Sequence, residues 1–483
     1  MILNPDWLKT KKNLPFSHFK HETILIGLIS IVFLLRVSSF SLPFFWDEAC
    51  TYSRGIFYLA KNGVGIFPGD LVPEISRGHP MLFVFIFSLW YKFLYPSVFG
   101  LHLSMALTSS LTVISIYFLA IRVINGNKTI ALLSSLLFLA SPLFQGQYCL
   151  VLPEMMLTLF SVLSLIFWID RRVFLYFICA SATILTKETG IVIPATIFVY
   201  ELIINQKKGL KTALVGSTPV IPFIIFIVIQ RIQNGWFFHP FNTTHIDFTF
   251  NSIWDKFHHF IEFIFIKQGR IFISILSVLG LFWVKKKEIF TKEWILLFLF
   301  FIVGLAFSSI NFFMMRYILF IFPAFCILIL TIIHQLLIKS KYFFPIILVC
   351  TLIQVFYMKS DKFRYETDLS YLDTIEVMTD ASGFLKDNFP NKISHFSVFP
   401  ISYYFTDTRY EVFDKKWVDM KSNLNMEVNL ESKPNLNNLS SKPDLIITCQ
   451  PGETLLQDPL SIGYQEIKRF SKGFSEVKIY QIK

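Results

Sequence analysis

Residues 43–55 read PFFWDEACTYSRG, and they stand where a first membrane crossing would end. The run before them, Ile24 to Phe40, is apolar and, at about 1.5 Å per helical residue, covers most of a bilayer. Pro43 and the cluster Phe44, Phe45, Trp46 mark the exit, because Trp settles at a membrane–water boundary with its ring apolar and its N–H toward a partner. Asp47 and Glu48 follow at once. Two acids there are either a helix start, favoured by the positive end of the dipole, or one part of a site completed by distant segments.

The rest of the chain favours a membrane setting. Hydrophobic residues make up 54% of the 483, charged residues 16%, and the mean hydropathy is +0.57. A soluble domain carries nearer about a quarter charged residues. Recurrent apolar runs account for the difference, so the class is a polytopic α-helical membrane protein. The net charge of +11 would suit nucleic acid, but Lys and Arg gather in short loops between the runs. Basic patches with interleaved aromatics are absent outside the spans, which excludes a nucleic-acid partner from the reading. The six cysteines show neither CxxC nor metal spacing, and Cys179, Cys326 and Cys350 fall inside spans as small apolar residues. No metal is expected. The basic N-terminus lacks a cleavage site after its apolar run and reads as a cytoplasmic lead-in.

Apolar runs follow at roughly 24–42, 100–121, 130–147, 154–169, 173–186, 189–205, 212–230, 270–284, 294–311, 317–338 and 342–358, which predicts about eleven spans. Residues 80–95, PMLFVFIFSLWYKFLY, are bracketed by Pro80 and Pro96 and are short for a span. Charge decides their place. With Lys9, Lys11, Lys12 and Lys20 in the cytoplasm and 80–95 left uncounted, Arg122/Lys128, Arg171/Arg172, Lys207/Lys208/Lys211, Lys285–Lys287 with Lys292, and Lys339/Lys341 all fall inside. Counting 80–95 as a span would put every later cluster outside. These residues therefore read as an interfacial helix on the outer surface.

Asp47, Glu48, His79, Glu154, Lys187, Arg270 and Arg316 then share the outer side. Residues 1–358 form the membrane domain. The tail, 359–483, reads as an exterior soluble α/β domain with strands in SHFSVFPISYYF, PDLIITC and SEVKIYQIK around a polar Asn-rich loop. Each outer charge also has a plain reading. Glu154 follows Pro153 in a first helical turn, Lys187–Glu188 makes a polar turn, and Arg316 can snorkel. Together, cations that neutralise a phosphate and carboxylates that accept a hydroxyl proton suit a substrate whose phosphate carries a long lipid.

The order of these residues resembles a known family. It runs as an Asp-Glu pair after the first span, His-Pro opening an interfacial helix, Pro-acid after the third span, Thr-Lys after the fifth, and Arg-Tyr opening a late span. That order looks like the polyprenyl-phosphate-sugar-dependent glycosyltransferases of the C-type fold, which include protein O-mannosyltransferases and bacterial aminoarabinose transferases that modify lipid A. The resemblance covers about residues 20–340. It implies an inverting glycosyltransferase at the outer membrane face, with Asp47, Glu48 and Glu154 as the catalytic acids. It also implies that His79, Lys187, Arg316 and Tyr317 surround the donor phosphate, with a polyprenyl-phosphate-linked sugar as donor and a protein, lipid or glycan hydroxyl as acceptor. Glu154 departs from the Asp usual there, and Arg270 is suggested by position alone. The alternative is a transporter or lipid-sugar flippase, which would string ionisable residues along a central path.

Overall fold

The computed structural model describes residues 20–244, 246–283, 290–337, 342–389, 394–418, 436 and 442–483. Outside them lie Lys9, Lys11 and Lys12 of the lead-in, Lys285, Lys286 and Lys287, Lys339 and Lys341, and most of the polar tail loop. Every apolar run contains a helix. Lys20–Ser41, Val98–Val123, Glu188–Asn205, Lys292–Ile310 and Met315–Leu337 are long and apolar enough to cross a bilayer unaided. The pair Leu210–Ser217 and Val220–Asn234, bent by 45°, passes the same test only when taken together as one span. Pro219 sits at the break, where its ring and missing N–H interrupt the ladder.

The remaining runs form shorter helices, among them Lys128–Leu139, Pro153–Ile169 and Val173–Thr186. At about 1.5 Å per residue they reach roughly 18–25 Å, short of a ~30 Å hydrocarbon layer. Local chemistry explains their ends. Asn127 and Ser141 accept the backbone N–H groups of Ile130 and Phe144, and Pro142 and Pro153 occupy first-turn positions that need no donor. These breaks do not lower hydropathy, so composition reads through them. Leu34, Leu35, Phe174 and Ile232 stay exposed on helix faces, an apolar surface that water would penalise and lipid would not.

Residues 80–95 form one helix, Leu82–Phe93, of 12 residues and about 18 Å. It packs on the Ser53–Asn62 helix that follows the Asp47 loop.

The tail builds a four-stranded sheet from β1 (His395–Ser397), β2 (Leu445–Gln450), β3 (Tyr464–Lys472) and β4 (Ser475–Ile482), in the order β1-β2-β4-β3. β1 runs parallel to β2, and the other pairs are antiparallel. The Tyr371–Asn388 helix covers β3 and β4. Two of the expected strands are present as read. SHFSVFPISYYF, however, is a strand only over its first residues; Ile401–Phe405 is a 3-10 turn buried on every side, which has no use for alternation. β3 escaped the sequence reading because YQEIKRFSK is an edge strand whose exposed charges hide its period.

The tail grips the first loop. Tyr410 donates its hydroxyl to the Ala49 carbonyl at 2.7 Å, Arg409 donates to the Phe57 carbonyl at 2.9 Å, and Glu411 accepts the Val98 N–H at 3.0 Å. Trp46 meets Phe399 edge-on at 4.6 Å between ring centroids.

Candidate active site

The Asp47 loop is held from behind by its neighbour. Glu48 is fully buried; one carboxylate oxygen accepts the Phe45 N–H at 3.0 Å, and the other accepts the Val151 N–H at 2.7 Å. That second oxygen also stands 2.7 Å from His102 Nε2, while His102 Nδ1 donates to the Phe40 carbonyl at 2.9 Å. A π-helical turn, Glu48–Tyr52, follows, an insertion that recurs at functional sites. Trp46 takes a positive φ of 49°, sparsely populated for a bulky residue. The result turns Asp47 the other way from Glu48.

Asp47 pairs with Arg316, which lies in the Met315–Ile321 turn and is almost wholly buried. The guanidinium is surrounded. One terminal nitrogen meets Asp47, the other donates to Glu366 at 2.6 Å, and Nε stands 3.8 Å from Glu154. Lys187, extended between the Val173–Thr186 helix and the turn after it, bonds the same Glu154 oxygen at 2.8 Å. Its ammonium also lies 3.3 Å from the centroid of the Tyr317 ring, a cation–π contact. Burial alone would raise the Asp47 carboxyl; Arg316, with Arg77 and Lys187, overcomes this and holds it below the usual range. Burial pushes Glu366 up to about 7, against the pull of Arg316 and helped by Asp47 and Glu154.

Beside this cluster a crevice is lined by Tyr52, Ser76, His79, Met81, Thr186 and Lys187. His79 is fixed there by Glu188, whose carboxylate oxygens lie 2.9 and 3.2 Å from Nδ1. The turn before it, Arg77–Gly78, has φ of 47° and 72°, and a Cβ on Gly78 would stand 2.7 Å from the Trp236 ring. The crevice reaches Lys187 but not Arg316, which the three carboxylates enclose.

The sequence candidates therefore separate. Asp47, Glu154, Lys187, Arg316 and Tyr317 come together from four distant segments, with His79 at the rim of the same crevice. Glu48 stands behind the loop. Arg270 is elsewhere: fully buried, it donates to the Ile264 and Phe263 carbonyls and so closes the Phe250–Phe265 helix. Two residues escaped the reading. His102 lies in the second turn of the Val98–Val123 helix, inside an apolar run, and Glu366 lies in a loop with no periodicity, where only the run of charges in RYETD could have drawn notice.

No family model matches the chain. An uncharacterized protein of Aquifex aeolicus is 33% identical over 174 residues, 34% of this chain and 33% of that protein. The chain thus spans about a third of the length of the curated relative it matches. Among solved structures, ArnT from Cupriavidus metallidurans bound to undecaprenyl phosphate aligns with a TM-score of 0.62 and 11% identity, over 96% of this chain and 98% of that one. The same protein in the apo state aligns at 0.58 and 12%, over 95% and 98%. The likeness runs nearly end to end, and what it shows is the fold: a multi-pass helical protein with a small C-terminal sheet domain, folded as ArnT is.

Proposed function

We propose that the chain is an integral-membrane, inverting glycosyltransferase that moves a sugar from a polyprenyl-phosphate carrier to a hydroxyl of a protein, lipid or polysaccharide. One observation carries the reading: Asp47, Glu154, Lys187 and Arg316 meet at one end of the helices, in a chain folded like a protein solved with undecaprenyl phosphate. The reaction takes place at the outer face. The Pro153–Ile169 helix sets about 25 Å between Glu154 and the opposite end, where Arg122 pairs with Asp170 and Lys128 with Glu22. That opposite end carries the basic loops and faces the cytoplasm.

In this mechanism the donor phosphate enters the crevice, meets Lys187 and His79, and takes Arg316 as a further cation. Asp47 accepts a hydrogen bond from the acceptor hydroxyl and orients it. As the hydroxyl oxygen bonds to the anomeric carbon, the bond from that carbon to the phosphate oxygen breaks, and the configuration inverts. Asp47, held ionised by Arg316, is a weak base, so the proton reaches it late, once attack has made the hydroxyl acidic. Fixed cations on the leaving phosphate supply the electrostatic share. Purified protein, labelled polyprenyl-phosphate sugars and a membrane acceptor fraction test the reading. Transfer to a product absent from a deletion strain supports it. Translocation of the lipid across vesicles without transfer would replace it with the flippase.

A further inference from the structure

The resting geometry poses a problem for any anionic ligand of Arg316. Its guanidinium nitrogens face Asp47, Glu154 and Glu366, and the crevice stops at Lys187. Three carboxylates there face Arg316 and Lys187, with Arg77 acting on Asp47 as well, so the set has no positive charge to spare when a phosphate arrives. One carboxylate must give way.

The three are not equivalent. Asp47 is held ionised by Arg316, and Glu154 is shared with Lys187 at 2.8 Å. Glu154 and Glu366 each have one buried oxygen without a hydrogen-bond partner, Oε2 and Oε1, but where Glu154 is held by two cations, Glu366 has Arg316 as its ion-pair partner, through Oε2 at 2.6 Å. A proton on Oε1 would neutralise the side chain without displacing any existing bond. The charged groups acting on Glu366 are Arg316, Asp47 and Glu154; Arg77, Lys187, Tyr52 and Tyr317 act on those three in turn. Its backbone is pinned, with Gln147 donating to the Glu366 carbonyl at 2.6 Å and Gln268 to that of Thr367 at 2.9 Å. Tyr365 and Glu366 both take positive φ, 45° and 53°, which aims the carboxylate inward against local preference.

We propose that Glu366 competes with the donor phosphate for Arg316, so that the lipid phosphodiester enters together with one proton, which the Glu366 carboxylate takes. The inference rests on the donor reading above and deepens it. Burial already lifts the Glu366 carboxyl toward neutrality, so the proton is available near physiological pH.

Titration calorimetry on the purified full chain, in two buffers of different ionisation enthalpy, counts the protons. The probe is geranyl ethyl phosphate, a phosphodiester whose own charge does not change near neutrality. Wild type at about pH 8 should take up close to one proton per probe bound, and its affinity should fall about tenfold per pH unit above the Glu366 pKa. Glu366→Gln, checked for folding by gel filtration and thermal melting, should bind with no uptake and a flat pH profile, and tighter than wild type in alkali. Binding by wild type without proton uptake overturns the competition and leaves the donor site standing. Uptake that persists in folded Glu366→Gln also overturns it, because the proton then goes elsewhere. Absence of binding to wild type at every pH overturns the donor reading itself and the competition with it.

Discussion

Asp47→Asn keeps the side chain's shape and removes both its charge and its hold on Arg316. Turnover should fall by about 10²–10⁴ while the protein still folds, measured as sugar transfer by purified enzyme. Glu48→Gln acts on stability instead. Whichever way the amide is turned, its NH2 meets an N–H group, that of Phe45 on one side or Val151 on the other. Leaving buried donors unpaired costs about 1–3 kcal/mol, readable as a lower melting temperature. The two neighbouring acids looked interchangeable in sequence; the backbone turn between them gives one to the site and the other to the scaffold. Acid sensitivity separates Asp47 from Glu366. The Asp47 pKa is lowered on folding, so its contribution to stability is present above the ordinary aspartate range and is lost as pH falls through the lowered value. Glu366 is raised, so stability declines as pH climbs from the usual glutamate range to about 7, and Glu366→Gln should flatten that decline in melts taken across pH.

At the scale of elements, the site depends on a close backbone approach. Gly146, in the Pro142–Gln147 helix, has the Glu366 carbonyl 2.8 Å and the Asp368 nitrogen 2.9 Å from where a Cβ would stand. Neither is a flexible tip. Gly146→Ala should push the 365–368 loop away and loosen Glu366 from Arg316, so donor binding should tighten in alkali and lose most of its pH dependence, as with Glu366→Gln, in the same titrations. The tail's grip is milder: Tyr410→Phe removes one bond to the Ala49 carbonyl, worth about 0.5–1.5 kcal/mol in melting. The helices were legible because apolar runs announce themselves, and Asp47, Glu154, Lys187 and Arg316 because each charge interrupts such a run. Glu366 was not, since it follows the last run in a stretch where charges are ordinary. β3 was missed for a similar reason, its inward residues being outnumbered by the charges of its exposed edge.

For the whole molecule, the distribution of Lys and Arg predicts the orientation. Cysteines introduced near 240 and 430 should react with an impermeant reagent in intact cells, and one near 286 should not. Labelling at 286 and protection at 430 would place the site on the cytoplasmic face. The tail is joined to the membrane domain by side-chain bonds from Arg409, Tyr410 and Glu411, and its approach segment supplies Glu366. Residues 1–358 expressed alone should therefore lose transfer activity even where they insert. That partition also has a consequence for biosynthesis. Glu366 lies 50 residues beyond Arg316, so at about 5–20 residues per second the ribosome delivers the third of its carboxylate partners roughly 3–10 s after the cation itself. For that interval the arginine has Asp47 and Glu154 beside it but lacks the carboxylate it bonds at 2.6 Å.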